Sequence, residues 1–176
     1  SFGDGLFEHN RAYLAWLDGI FNIYPDLVIE NCSSGGLRMD YAMLSRYSIQ
    51  STSDQEDFRR YATISANCPS AMTPEQAAVW SYPLKTDNME EVAFNMVNAI
   101  LLRIHQSGQL INLTPEKLAL VKEGISCYKS IRGDIKTALP FWPLGLSHYS
   151  DRWVCLGLKT ARKDYIAVWR RESSSP

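Results

Sequence analysis

The densest group of reactive side chains lies between Glu30 and Asp57. Two glycines in this stretch, Gly35 and Gly36, would let backbone amides approach a ligand closely, because glycine has no side chain to hold the ligand away. Charged groups follow in two clusters, and each could form charge-assisted hydrogen bonds to hydroxyl groups or transfer a proton. The clusters are Arg38 with Asp40, and Asp54 with Glu56 and Asp57.

Each of these features also has a purely structural interpretation. A Ser-Ser-Gly-Gly turn is more often structural than functional when no other signal accompanies it. Asp54 precedes a helical pattern that begins near Gln55, so the residue types alone favour a helix N-cap over a proton donor. Both interpretations stay open at this point.

The other reactive side chains form no recognised catalytic pattern. The histidines His9, His105 and His148 show neither an HExxH motif nor an i, i+4 pair, so no metal site is predicted. No serine lies in a GxSxG elbow, which leaves serine-hydrolase chemistry without support. Trp80 ends a predicted strand, where it could either border a sugar or pack into the core.

The composition is that of a globular domain with little net charge. The 176 residues are 45% hydrophobic and 21% charged, with 18 Lys and Arg against 19 Asp and Glu. This balance offers no general attraction for nucleic acid or an anionic membrane, and no apolar run approaches the roughly 20 residues that span a bilayer. Four dispersed cysteines form no CxxC pair and predict free thiols, which favours a cytoplasmic location.

Strands that alternate with helices predict an α/β fold with parallel βαβ units. Polar loops follow these strands, and active sites lie at that end of the strands in α/β barrels. The predicted strands in this part are 27–29, 47–51, 77–81 and 99–104, and the predicted helices are 6–23, 38–46, 55–66, 89–96 and one that begins after the N-cap Thr114.

The pattern changes after about residue 134. Two apolar runs, Trp153–Leu158 and Tyr165–Trp169, flank a polar stretch and predict an antiparallel hairpin. We therefore predict an α/β part over 1–134, a linker over 135–150, and the first strands of an antiparallel β domain over 151–176.

Two linked motifs resemble the signature of glycoside hydrolase family 36 (GH36), the α-galactosidase or melibiase family. Residues 30–40 resemble its Glu-Asn-Cys-Ser-(Gly)n-Arg-x-Asp motif, and residues 51–57 resemble its Trp-Thr-Ser-Asp-x-Thr-Asp segment. Asp54 follows Cys32 by 22 positions, and this separation also matches the family. The order of elements is consistent with the family over roughly residues 6–132.

The sequence departs from the family pattern at three positions. Ser51 stands where the family usually has tryptophan, Leu37 interrupts the glycine run, and Glu56 replaces threonine. The shape of the sugar pocket is therefore expected to differ from that of the family.

The resemblance implies a retaining glycosidase that needs no cofactor, with Asp54 as its general acid/base. The family's nucleophile lies in a Lys-x-Asp-x-Asn motif on an earlier strand, and this sequence has no such motif. Since a full barrel takes about 250 residues, we expect the C-terminal half of a (β/α)8 TIM barrel followed by an antiparallel β-sandwich domain. The residues expected to bind sugar are Cys32, Ser33, Gly35 and Gly36 near the galactose 2-hydroxyl, Arg38 and Asp40 in support, and Ser51 and Trp80 beside the pocket.

The resemblance also implies a substrate and partners. We expect hydrolysis of terminal α-galactosides in raffinose-type oligosaccharides, pairing with the N-terminal half of the barrel, and a homo-oligomer. Half a barrel leaves two open sheet edges, which favours association. The alternatives are galactosyl transfer or α-N-acetylgalactosaminidase activity at the same site, or a catalytically inactive fragment that binds sugar or docks to a partner.

Overall fold

The computed structural model describes residues 2–32 and 34–171, which form a four-stranded parallel sheet and a three-stranded antiparallel sheet. The parallel strands lie in the order β1-β2-β3-β4, and the antiparallel strands in the order β5-β6-β7. The strands are β1 (Glu30–Asn31), β2 (Ile49–Ser51), β3 (Ala77–Ser81), β4 (Arg103–Gln106), β5 (Leu139–Phe141), β6 (Trp153–Lys159) and β7 (Asp164–Arg170). The helices are α1 (Phe2–Ile23), α2 (Tyr41–Leu44), α3 (Phe58–Asn67), α4 (Met89–Ile100) and α5 (Pro115–Ile135).

Local sequence signals fix the starts of the helices between the parallel strands. Asn88 and Glu91 form a capping box at α4, in which each side chain accepts a hydrogen bond from the other residue's backbone amide. Thr114 caps α5 through a 3.4 Å hydrogen bond from the Lys117 amide, and Pro115 occupies the first helical position. The predicted start of α5 is thus confirmed.

Two predicted strands lie elsewhere than expected. Leu27 and Val28 are 42% and 60% exposed and lie outside any strand, whereas β1 consists of the polar pair Glu30–Asn31. The predicted strand 99–104 is also wrong in its first half, because α4 continues to Ile100 and β4 begins at Arg103. Both errors follow from placing a strand on the most apolar residues, although polar residues form the sheet here.

One core joins the two sheets. Tyr61, Ala62 and Ala66 of α3 pack in the same cluster as buried residues of β3, and the antiparallel strands contribute to that cluster from the other side of the helix. The antiparallel members are Val154, Leu156, Leu158, Ala167 and Trp169. Helix α3, which follows the loop with Asp54, is therefore packed against β6 as well as against its own sheet.

The predicted hairpin is confirmed, and a third strand precedes it. Strand β5 lies inside the predicted linker 135–150 and pairs with β6 at the edge of the sheet, where Pro140 costs no ladder hydrogen bond. The ring of Phe141 lies over Gly157, where a Cβ atom would come within 2.2 Å of the ring. The glycine in β6 therefore makes room for the edge-strand aromatic.

Buried polar contacts tie the antiparallel part to α3. The guanidinium of Arg171, only 6% exposed, donates to the Thr63 hydroxyl at 2.9 Å and to the backbone carbonyls of Arg59, His148 and Asp151 at 2.5 to 3.1 Å. These contacts fix the segment before β6 against the outer face of α3.

Helix α1 is attached by few contacts and leaves much of its apolar surface exposed. Leu17 is buried, the hydroxyl groups of Tyr13 and Tyr47 are hydrogen-bonded, and Arg46 makes two 2.8 Å bonds to Asp18. Among the residues that the structure describes, no helix combines the length and apolarity needed to cross a membrane. The exposed apolar residues of α1 include Leu6, Phe7, Trp16 and Ile23.

Candidate active site

The glycine loop and the acidic loop are in direct contact at the carboxyl ends of β1 and β2. Gly35 has a φ of +80°, and a Cβ atom there would lie 2.5 Å from the Cα of Ser53. Only glycine fits both the backbone conformation and the close approach. Gly36 lies nearby, with a Cβ position 3.6 Å from the carbonyl oxygen of Thr52. The two motifs, 22 positions apart in sequence, therefore pack against each other.

Buried amide side chains hold the glycine loop to the sheet. The Asn31 amide donates to Gln50 Oε1 at 2.6 Å and to the carbonyl of Arg38 at 2.9 Å, while Gln50 donates to the carbonyl of Ser51 at 2.8 Å. Gln50 is fully buried and Asn31 nearly so. A buried polar group is costly unless it is paired. These hydrogen bonds therefore fix the position of Arg38, at the end of the glycine loop, relative to the sheet.

The acidic loop is fixed by a buried phenol. The Tyr61 hydroxyl lies 2.8 Å from Thr52 Oγ1, donates to the Ser53 carbonyl at 3.0 Å, and accepts from the Trp80 amide at 3.3 Å. Burial raises the pKa of Tyr61 to about 12, so the group stays a neutral donor and acceptor. It links the ends of β2 and β3 to helix α3.

Asp54 is exposed beyond this buried contact. Its carboxylate has no hydrogen-bond partner within residues 2–32 and 34–171. The N-cap interpretation of Asp54 is wrong, because the cap of α3 is Asp57, which accepts from the amides of Arg59 and Arg60 at 2.9 and 3.3 Å. The side chain of Asp54 therefore carries no structural hydrogen bond in the described part of the chain.

An aromatic pair lies at the end of β3. The Trp80 indole donates to Ser51 Oγ at 3.1 Å, and its ring stacks with that of Tyr82 at a centroid distance of 6.4 Å. Burial raises the pKa of Tyr82; a side-chain hydrogen bond from Ser107 opposes this rise, and the negative charge of Asp54 adds to it. Tyr82 therefore lies within electrostatic range of the candidate acid/base.

Arg38 and Asp40 lie where the glycine loop faces helix α1. Both line a groove of about 450 Å³ between that loop and α1. Asp40 caps α2 through a 3.0 Å hydrogen bond from the Met43 amide. Cys32 is exposed at the end of β1, and Ser33 lies outside the described residues.

A contact between a histidine and a carboxylate spans the face of the parallel sheet. His105 Nδ1 lies 3.8 Å from Glu30 Oε1, and its ring makes an edge contact with Trp80 at 5.0 Å. Burial lowers the pKa of His105; the Glu30 carboxylate opposes this effect, and Arg103 adds to it. No group of three potential ligands in the described part could hold a metal ion. The site therefore offers carboxylates, hydroxyls, amides and aromatic rings.

Structural comparison relates this arrangement to known enzymes. No family model matches the chain, and no curated protein matches it. Over 91% of its length the chain superposes with TM-score 0.77 and 18% identity on the GH36 α-galactosidase AgaA from Geobacillus stearothermophilus, solved in complex with 1-deoxygalactonojirimycin. The α-galactosidase from Lactobacillus brevis gives a TM-score of 0.76 at 16% identity and 91% coverage. The galactosidase domain of the α-galactosidase-sucrose kinase AgaSK gives 0.75 at 20% identity and 92% coverage.

The chain has the fold of one region of GH36 α-galactosidases. It spans only 23% of the AgaA and AgaSK chains and 22% of the Lactobacillus brevis chain. The mixed fold, with one parallel and one antiparallel sheet, agrees with the α/β prediction made from the sequence.

Three supporting residues of the site were not predicted from the sequence. Asn31 and Gln50 occupy short strands, and Tyr61 lies in the middle of the helix predicted over 55–66. The signal that could have identified Asn31 and Gln50 is a polar residue within a short strand, because such a residue, once buried, needs a hydrogen-bond partner. No comparable signal identified Tyr61, because its hydroxyl partners are brought together only by the fold.

Proposed function

We propose that the chain contributes the acid/base side of a retaining α-galactosidase site. Asp54 protonates the glycosidic oxygen as the bond to the leaving sugar breaks, and later takes a proton from the water that attacks the galactosyl intermediate. The supporting observation is the contact of Gly35 with Ser53, which brings the two signature motifs together and leaves the adjacent Asp54 exposed.

The second carboxylate comes from outside this sequence in our proposal. A retaining site needs a nucleophile roughly 5 to 5.5 Å from the acid/base, and the sequence has no Lys-x-Asp-x-Asn motif. The matched region is 23% of the AgaA chain, so a much longer chain is available in such an enzyme to supply the nucleophile. This chain alone would then bind sugar without turning it over.

A contact between the edge strands of the parallel sheet supports a half-barrel. Neighbouring strands lie about 4.8 Å apart, so a flat sheet would separate β1 from β4 by roughly 14 Å. The Glu30 and His105 side chains, one on each edge strand, nevertheless come within 3.8 Å of each other. We infer that these four strands form part of a closed (β/α)8 barrel, whose other strands pair with the exposed edges of β1 and β4.

The substrate follows from the same comparison. Doubly substituted variants of AgaA have been solved in complex with raffinose and with stachyose. We propose galactosides of this kind as substrates, with Cys32, Ser33, Gly35 and Gly36 beside the galactose 2-hydroxyl. Ser51 and Trp80 border the ring, and Arg38 and Asp40 support the glycine loop from its outer side.

A second candidate function is sugar binding without hydrolysis. The exposed apolar face of α1 and the two open edges of the parallel sheet favour docking to another polypeptide. Under this alternative the site retains galactose but gains no nucleophile from its partner.

The test compares Asp54→Asn with the matched control Glu56→Gln. Each variant is assayed after mixing with a polypeptide that carries the remaining barrel strands, using raffinose and an aryl α-galactoside with an acidic phenol. Loss of the proton donor should slow raffinose hydrolysis by about 10²- to 10⁴-fold. The aryl substrate should suffer less in its first step, because its leaving group needs no proton.

Each outcome has a defined meaning. Equal losses in both variants, or full activity of Asp54→Asn on raffinose, would exclude the acid/base role of Asp54. Sugar binding without hydrolysis in every mixture would favour the second candidate function. Full activity of the 176-residue chain alone would show that a carboxylate within it acts as nucleophile.

A further inference from the structure

Trp80 and Tyr82 form a continuous aromatic surface at the carboxyl end of β3. Their rings stack with an interplanar angle of 25° and a centroid separation of 6.4 Å. Neither ring is fully buried, whereas Ser81 between them is completely buried and its hydroxyl donates to the carbonyl of Asn95 at 3.2 Å. Since alternate residues of a strand point to the same side, both rings lie on the face opposite helix α4.

Contacts with neighbouring elements hold this pair in place. The Trp80 indole is bonded to Ser51 on β2 and contacts the His105 ring on β4. The Tyr82 amide donates to Asn95 Oδ1 at 3.4 Å. The turn at Gly108, with a φ of +81°, packs against the Tyr82 backbone, where a Cβ atom would lie 3.7 Å from the Tyr82 Cα. The aromatic surface is therefore preorganised.

The same pair is connected to the loop with Asp54. The Trp80 amide donates to the Tyr61 hydroxyl, which in turn donates to the carbonyl of Ser53, the residue before Asp54. Both Asp54 and Glu56 influence the Tyr82 phenol electrostatically. The exposed carboxylate of Asp54 follows β2, and the partly exposed ring of Tyr82 follows β3. These two strands are neighbours, and they are joined near their ends by hydrogen bonds from Thr52 to the carbonyl of Ala78.

We infer that Tyr82, supported from beneath by Trp80, is the platform on which a pyranose ring lies beside Asp54. A sugar such as galactose has one face of C–H groups that packs on an aromatic ring, while its hydroxyls remain available to polar groups around it. This inference rests on the proposed function and adds a contact residue to it. Because the side chain of Ser51 is small, it leaves space above β2, and the Trp80 indole lies in that space.

The test measures binding of methyl α-galactoside and of raffinose to the whole chain by NMR titration. Tyr82→Leu keeps apolar bulk but removes the ring, Tyr82→Phe keeps the ring, and Tyr24→Leu removes an exposed tyrosine that follows α1. We expect Tyr82→Leu to weaken binding about tenfold, corresponding to the stacking contribution of one aromatic ring. Tyr82→Phe and Tyr24→Leu should bind within about twofold of the original chain.

Saturation-transfer NMR supplies a readout that a purely structural role would not change. Irradiation of aromatic protons should saturate the C–H groups of one galactose face, and this transfer should disappear in Tyr82→Leu but persist in Tyr82→Phe. If the original chain binds galactosides and folded Tyr82→Leu binds them equally well, the platform is wrong while the proposed function stands. If the original chain binds no α-galactoside at all, the proposed function fails and the platform fails with it.

Discussion

The carboxyl ends of the parallel strands are held together by buried polar groups, whereas apolar side chains hold the antiparallel sheet together. Asn31, Gln50 and Tyr61 make the critical contacts in the first region. In the second, β6 buries Val154, Leu156 and Leu158. Hydrogen bonds are directional and fix geometry, whereas apolar burial is non-directional and mainly contributes stability. The comparison suggests that one region positions reactive groups and that the other stabilises the helix beneath them.

Arg171 is the exception in the antiparallel region, and replacing it should have the largest effect. In Arg171→Met, the buried Thr63 hydroxyl and the partly buried carbonyls of Arg59, His148 and Asp151 all lose their donor. We expect the free energy of unfolding to fall by about 3 kcal/mol, since each unsatisfied buried acceptor is costly. Urea unfolding followed by circular dichroism measures this change.

Arg170→Met is the matched control for that substitution, because Arg170 is the exposed neighbour on β7. It should change stability by less than about 0.5 kcal/mol. Galactoside binding by folded Arg171→Met should stay near that of the original chain if the antiparallel region only stabilises. A loss of binding in the fully folded variant would instead mean that this region also sets the site's geometry.

Gly35→Ala should have the next largest effect, and it tests the polar region directly. The new Cβ atom would lie 2.5 Å from the Cα of Ser53, and alanine disfavours a φ of +80°. We expect about 2 kcal/mol of destabilisation, together with displacement of the loop that carries Asp54. NMR chemical-shift changes at Ser53 and Asp54 report the displacement.

Gly133→Ala should have the opposite effect on stability. Gly133 lies in α5 with nothing within 4 Å of its Cβ position. Alanine should therefore raise stability by about 0.5 kcal/mol or more through its higher helix propensity. A stabilising or neutral Gly35→Ala would contradict the direct contact between the two motifs.

Tyr61→Phe should cost less, since it removes one hydroxyl and leaves the ring. The amide of Trp80 and the carbonyl of Ser53 would lose a common partner. We expect about 1 kcal/mol of lost stability and a larger relative loss of galactoside binding, because the loop end is freed. Tyr41→Phe, at a tyrosine that is 86% exposed, should leave both quantities unchanged.

The sequence predicted elements best where a periodic pattern coincided with a cap or a turn. Strand β3 has the predicted bounds, and α5 begins where Thr114 and Pro115 indicated. Prediction failed at β1, because the apolar residues before it are exposed and the strand itself is polar. Hydrophobic residues indicate which positions are buried in a core. They give no signal for buried amide side chains that pair with each other.

The candidate site was predictable in its motifs but not in its geometry. Spacing along the chain could not show that Gly35 touches Ser53, nor which carboxylate caps α3, because Asp54 and Asp57 both precede the helix. The groove that Arg38 and Asp40 form with α1 also depends on how the loop turns around its glycines. These are properties of tertiary packing, which residue types alone leave open.

The smallest predicted effect concerns the contact between His105 and Glu30 on the edge strands of the parallel sheet. Burial lowers the pKa of His105 in the folded state, although the Glu30 carboxylate opposes the shift. Because an unfolded histidine titrates near about 6.5, the unfolded chain takes up this proton first as the pH falls. Stability from the neutral imidazole is therefore present above about pH 6.5 and is lost as the pH falls through the folded pKa.

His105→Gln should remove this contribution, so the variant should lose less stability than the original chain between pH 7.5 and 5.5. Glu30→Gln should act in the opposite direction, because it removes the carboxylate that favours protonation and so makes the chain more acid-sensitive. Urea midpoints for the three chains at both pH values measure these differences. If Glu30→Gln instead reduces the acid sensitivity, the two side chains do not interact across the sheet, and the curvature inferred from their contact loses its support.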